Sequence, residues 1–165
     1  MGVNIKDVAK LAGVSTATVS RVLAKSGFVS AKLKDKVYEA IETLNYIPNN
    51  NAKVLRSNSS KTIGFILPDI CNSHFTYIYK GAEEALEENG WGIILANSNE
   101  NIEKERENLK RLISYNIEGL LFIGVSWNSN IESLIKLNNI PSVFLGRKGK
   151  NEFSTVTIDN YTAMH

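Results

Sequence analysis

The 165-residue sequence predicts two architectures in series: an all-α helix-turn-helix head, then, after a polar segment, a doubly wound α/β fold built on a parallel sheet. Three observations predict it. Apolar residues recur at helical spacing through residues 1–47. Short apolar runs alternate with amphipathic stretches through residues 62–165. A polar segment, residues 48–61, separates the two patterns. Charge divides at the same place. Residues 1–61 hold ten basic and four acidic side chains, a formal +6, whereas residues 62–165 hold nine and thirteen, a formal −4. A basic head on an acidic body points to a polyanionic partner for the head, the plain alternative being an incidental excess of lysine.

The first helix is carried by Ile5, Val8, Ala9 and Ala12, at i, i+3, i+4 and i+7. Gly13-Val14 breaks it, and Gly13 suits a turn that needs positive φ. Ser15 is an N-cap for a second helix, Thr16–Leu23, with Val19, Val22 and Leu23 inward. Ser30 caps a third helix whose inward face is Leu33, Val37, Ile41 and Leu44, and Pro48 keeps that helix from running on. Two short helices joined by a turn, with a third across them, form a helix-turn-helix, whose second helix enters the major groove. The outward residues of that helix are Thr16, Ala17, Ser20 and Arg21. A merely solvated face more often carries Glu and Lys. Small side chains allow close approach to bases. Thr16 suits a thymine methyl or a hydrogen bond, and Arg21 suits guanine through two bonds. Ser15, Thr18 and Ser20 suit phosphate oxygens. The alternative is a three-helix bundle with an incidental small-residue helix.

Asn49–Ser60, read alone, is a polar linker. Ala52, Val54, Leu55 and Arg56 allow about two helical turns, marginal in water because nucleation is costly. In the body, the apolar runs Ile63–Leu67, Gly92–Ala96, Gly119–Ile123, Ser142–Leu145 and Thr155–Ile158 read as strands. His74–Glu88, Ile102–Tyr115 and Asn130–Leu137 read as the helices between them. Alternating β and α elements predict a parallel doubly wound sheet, with ligands beyond the carboxyl ends of the strands.

Several classes of function find no support in the residues. There is no Gly-x-Gly-x-x-Gly, no phosphate-binding loop and no nucleophile elbow, so an enzyme is not expected. His74 and His165 are not spaced as a metal pair, and Cys71 alone cannot build a zinc site or a disulfide, so neither metal nor cofactor is expected. The acidic stretches Glu83–Glu88 and Glu103–Glu107 read as solvated faces. No apolar run reaches the ~18 residues of a membrane span, and neither a secretory signal nor an N-myristoylation signal is expected at the N-terminus.

The segment Ile5-Lys6-Asp7-Val8-Ala9-Lys10-Leu11-Ala12-Gly13-Val14-Ser15-Thr16-Ala17-Thr18-Val19-Ser20-Arg21-Val22-Leu23 resembles the head of the lactose-repressor (LacI/GalR) family, without gaps. The likeness continues through Val29-Ser30, Val37–Ile41, Leu44-Asn45-Tyr46 and Ile47-Pro48-Asn49, and resumes in Thr62–Ile70. It departs at Ala24, where the family usually has Asn, at Gly27, where some members carry a basic residue, and at Cys71–Phe75, where Ser-Asn-Pro-Phe-Phe is common. The resemblance implies a dimeric, cytoplasmic transcriptional regulator, most often a repressor. Its DNA would be a double-stranded, pseudo-palindromic operator, and its control a small-molecule effector such as a sugar. It implies a helix-turn-helix domain at 1–47, a hinge helix at 48–61 and, at 62–165, the first lobe of a sensor related to periplasmic binding proteins. By the same resemblance, Leu55 is the minor-groove wedge, with Ala52 one turn earlier and Lys53 and Arg56 attracting the backbone. Ser30 joins the DNA-contacting set. Asn72, His74, Phe75, Asn97, Ser126, Trp127, Arg147 and Asp159 become effector contacts. Each has a plain alternative: packing for Phe75 and Trp127, a cap or solvent for His74, a turn for Asn97, an ion pair for Arg147, a cap or interlobe hinge for Asp159. By the same resemblance, most of the second lobe and the strand completing the first are absent from this sequence, which is read as either a fragment or a naturally truncated protein.

Overall fold

A computed structural model of the chain describes residues 2–48, 59–126, 129–146 and 153–157. The chain divides into two compact units, Met1–Ala52 and Lys53–His165. In the first, Ile5–Ala12 (α1), Thr16–Leu23 (α2) and Ala31–Thr43 (α3) close over one small core. α1 opens on a reciprocal cap: the Asn4 side chain accepts the Lys6 N–H at 2.9 Å, and the Asp7 carboxylate accepts the Asn4 N–H at 2.9 Å. It ends at Gly13, whose φ of 65° is left-handed and costs glycine nothing. Val8, Val19 and Val37, one from each helix, are wholly buried. Ala9, Ala12, Val22 and Ala40 fill the spaces between them. Burial contributes roughly 1.5–3 kcal/mol for each valine. That packing, rather than helix propensity, sustains an eight-residue helix such as α2.

Two expectations for α3 are corrected. Leu33 lies in its first turn and is 37% exposed; the buried residues are Val37 and Ala40, with Ile41 and Leu44 packed at the margin. Nor does Pro48 stop the helix. It has already closed at Thr43, where Asn45 turns left-handed at φ 45° and the Tyr46 N–H reaches back to the Ile41 carbonyl at 2.9 Å.

The second unit alternates strand and helix: Thr62–Leu67 (β1), Ser73–Glu88 (α4), Gly92–Asn97 (β2), Ile102–Ser114 (α5), Gly119–Phe122 (β3), Ser129–Leu137 (α6), Ser142–Leu145 (β4) and Ser154–Val156 (β5). All strand pairs are parallel and the order is β2-β1-β3-β4-β5. The last strand begins one residue before the expected Thr155, and Ile158 lies outside the described residues. Phe65, Leu67 and Ile123 meet α4 through Phe75, Ile78 and Tyr79. Ile66, Leu120 and Phe122 meet α5 and α6 on the other face through Leu109, Leu112, Ile131 and Ile135. Helices on both faces explain why β1 is buried from Gly64 to Leu67 rather than at alternate residues. Gly64 is needed there: a Cβ would stand 2.9 Å from both Ile117 and Leu112 Cδ1 atoms.

The acidic helix faces are not uniformly solvated. Glu105 is 0% exposed, on the same side of α5 as Asn108, Leu109 and Leu112, and Glu132 is buried on α6. Glu83 accepts the Tyr79 hydroxyl at 2.6 Å. Burial, then this hydrogen bond and the charges of Glu83 and Glu87, push the Tyr79 phenol up to about 12. Among the described residues no helix is long and apolar enough to cross a membrane.

Candidate nucleic-acid interface and effector cleft

α2 is polar and small on one side and buried on the other because its apolar residues fall three apart, at Val19 and Val22. That spacing leaves Thr16, Ala17 and Arg21 exposed, with Thr18 and Ser20 half-buried at the margins. The helix begins at Ser15, whose Oγ accepts the Thr18 N–H at 3.2 Å and lies 3.0 Å from Thr18 Oγ1. These two hydroxyls share one proton in their mutual bond, so the pair retains one for a phosphate oxygen rather than two. Ser30 occupies the N-cap position of α3 but makes no side-chain cap bond, which corrects the expectation that its hydroxyl closes that helix. The Leu33 and Lys34 N–H groups instead reach the Ser30 backbone carbonyl, each at 3.0 Å.

Arg21 also borders a hollow of about 250 Å³ shared with Lys25, Lys34 and Tyr38. Gly27 forms part of its wall, and a Cβ there would come within 3.8 Å of Arg21 Cδ. Three cations around one hollow beside the exposed face of α2 make a concentrated positive patch. Lys25, Lys34 and Tyr38 were not singled out from the sequence. The signal for the lysines was the head's net charge, which does not say where in space they meet. Ala52, Lys53, Leu55 and Arg56 lie outside the described residues.

In the sheet unit the chain passes from β1 to β2 on one side and then to β3 on the other, so the connections diverge at the carboxyl ends of β1 and β3. A cavity of about 220 Å³ opens there, lined by Pro68, His74, Phe75, Glu100, Gly124 and Gly146 among others. His74 and Phe75 meet edge to face, with ring centres 5.5 Å apart. The other sequence candidates stand differently. Asn72 uses its side-chain oxygen to cap α4, accepting the His74 N–H at 3.0 Å. Asn97 turns to its own loop, donating to Asn99 Oδ1 at 2.6 Å and accepting the Asn99 N–H at 3.3 Å. Neither lines the cavity. Ser126 is half-buried two residues beyond Gly124, while Trp127, Arg147 and Asp159 lie outside the described residues.

Three residues that the sequence does not single out for this cleft shape it. Glu100 lines it directly. Glu105, fully buried, accepts the Val125 N–H at 2.6 Å and so holds the loop that follows β3. Asn108, one turn on, donates to the Asn97 carbonyl at 3.1 Å and holds the loop that follows β2. The inner face of α5 thus fixes two of the cleft's loops by part-buried hydrogen bonds. Its spacing at 105, 108, 109 and 112 is an inward helical stripe, a signal obscured by the acidic residues around it. Among the described residues, no group of three or more His, Cys, Asp or Glu side chains is placed to hold a metal ion.

Comparison with known families matches residues 4–49 to bacterial regulatory proteins of the lacI family. Residues 60–165 match the periplasmic binding proteins and sugar-binding domain of the LacI family. The chain belongs to the LacI family. Among curated LacI-family relatives, the transcriptional regulator RegA of Clostridium saccharobutylicum is 41% identical over 97% of this chain and 48% of its own length. Catabolite control protein A of Staphylococcus xylosus is 39% identical over 96% of this chain and 49% of its own. A LacI-family regulator from Silicibacter pomeroyi superposes with a TM-score of 0.84 at 29% identity, over 94% of this chain and 47% of that one. The lac repressor dimer bound to operator and the anti-inducer ONPF superposes with a TM-score of 0.84 at 25% identity, over 96% and 49%. The chain spans about half the length of the curated relatives it matches. These LacI-family relatives are regulators of transcription, not enzymes.

Proposed function

We propose that this chain is the DNA-reading and first sensing part of a dimeric transcriptional repressor that acts in the cytoplasm. It binds a pseudo-palindromic double-stranded operator under the control of a sugar or related metabolite. The observation that carries the reading is the two-sided character of α2: Val19 and Val22 are at 0% and 2% exposure, while Thr16, Ala17 and Arg21 face outward. In the major groove Thr16 and Ala17 present little bulk to the base edges. Arg21 spans a guanine, and Lys25 and Lys34 attract the flanking phosphates. Ser15 or Thr18, with Ser20 and Ser30, holds the backbone. Residues 1–47 form the DNA-binding domain and residues 48–61 the hinge, where Leu55, assisted by Ala52, wedges the minor groove between Lys53 and Arg56. Residues 62–165 form the sensing lobe.

In that lobe the effector occupies the cleft beyond β1 and β3, against His74 and Phe75, with Glu100 accepting sugar hydroxyls. Ser126, Trp127, Arg147 and Asp159 complete its wall, while Asn72 and Asn97 shape the loops. Among solved structures that resemble this chain is the regulator CelR in complex with cellobiose, which favours a saccharide. An effector that alters how two lobes meet changes hinge order and hence operator affinity.

The test is competition binding by the full-length protein between a duplex it selects from random sequence and an unselected duplex. The selected site is expected to be a near-palindrome bound at least about a thousandfold tighter. Its affinity should fall by about 10³ or more from 50 to 200 mM salt. Arg21→Ala is expected to remove about 1–3 kcal/mol of discrimination at one base pair per half-site. Equal affinity for the two duplexes would overturn the reading.

A further inference from the structure

The chain enters the sheet unit through Ser59, Ser60 and Lys61, and all three are tied to one side chain. Glu118 lies in the turn between α5 and β3. Its Oε1 accepts the Lys61 N–H at 2.7 Å and the Ser59 hydroxyl at 2.8 Å. The Ser60 hydroxyl stands 3.3 Å from the same oxygen and donates chiefly to the Asn116 carbonyl, at 2.6 Å. Backbone bonds close the site from both sides: the Glu118 N–H reaches the Thr62 carbonyl at 2.8 Å, and the Gly92 N–H reaches the Lys61 carbonyl at 2.8 Å. Within this grip Lys61 holds φ 48°, left-handed, which a lysine keeps only when its surroundings fix it.

The chemistry suits a fixed anchor. One carboxylate oxygen with a backbone N–H and a serine hydroxyl at under 3 Å makes charge-assisted bonds, shorter and stronger than neutral ones. The contacts span 57 to 59 positions in sequence, so they tie the root of the linker to the sheet rather than to itself.

We propose that Glu118 is the positioning residue for the linker. By fixing Ser59–Lys61 it sets the direction in which the chain departs toward the DNA-reading unit, and with it the geometry in which two heads meet one operator. The inference rests on the repressor reading above.

The test uses the full-length protein with Glu118→Ala, which removes the acceptor, and Glu118→Gln, which keeps an oxygen in place. Two readouts separate the claims: amide exchange at Lys61, and affinity for the duplex that the wild-type protein selects, against an unselected duplex. In Glu118→Ala, Lys61 exchange is expected to rise at least about tenfold and selected-duplex affinity to fall about tenfold, with unselected binding unchanged. Glu118→Gln should restore most of both. A general loss of fold would weaken both duplexes alike and would not be rescued by Gln; that result counts against positioning. Released exchange with full operator affinity overturns the role in DNA binding. Unchanged exchange overturns the anchor itself. If the wild-type protein prefers no duplex, the repressor reading fails, while the exchange readout still decides whether Glu118 fixes the linker.

Discussion

Arg21, Glu105 and Glu118 are ionisable side chains in three settings, and their surroundings decide what each does. Arg21 is exposed beside Lys25 and Lys34, so its charge is available to an outside anion. Glu105 is buried and spent on the Val125 N–H. Glu118 is half-buried: burial works to raise its pKa, but the Lys61 N–H and the Ser59 and Ser60 hydroxyls outweigh that and hold it below the ordinary carboxylate value. The consequence for stability has a definite sign. A carboxylate with a depressed folded pKa stabilises the fold above its unfolded pKa and loses that contribution as pH falls through the folded value. Chemical denaturation of the wild-type protein should therefore show stability falling as pH drops below the ordinary glutamate range. Glu118→Gln should flatten that slope, and a slope unchanged by the substitution would show that the carboxylate contributes nothing there.

At the scale of elements, most of what forms here is written in local pattern. The apolar spacing of α1 and α2, the Ser15 cap, the left-handed Gly13 and the alternation of strand and helix were all legible, because each depends on neighbours a few residues away. What escaped depends on distant partners. Leu33 has the right phase for the core but lies beyond where the core reaches. Glu105 looks solvated until Val125, twenty positions away, is brought above it. The cap of α2 gives the element-scale prediction: Ser15→Ala should destabilise the head by about 1 kcal/mol through loss of the Thr18 N–H bond, read as a lower midpoint in urea. An unchanged midpoint would mean the cap bond is replaced by water at no cost.

For the whole molecule, charge and fold are arranged to the same end. The basic unit carries the exposed face of α2, and the acidic unit carries the cleft beyond β1 and β3. Family membership was legible because the head's residues do two jobs at once, packing three short helices and presenting one small-sided face, which few sequences satisfy. The cleft was less legible, since its walls come from four separate loops whose meeting is fixed only by the sheet order. The most direct measurement of the central claim is amide chemical-shift mapping of the protein on titration with its selected duplex. The account predicts the largest changes at Thr16, Ala17 and Arg21, with Lys25 and Lys34 following and the sheet's carboxyl-end cleft unmoved by contact. Largest changes at the cleft, with α2 unshifted, would contradict it.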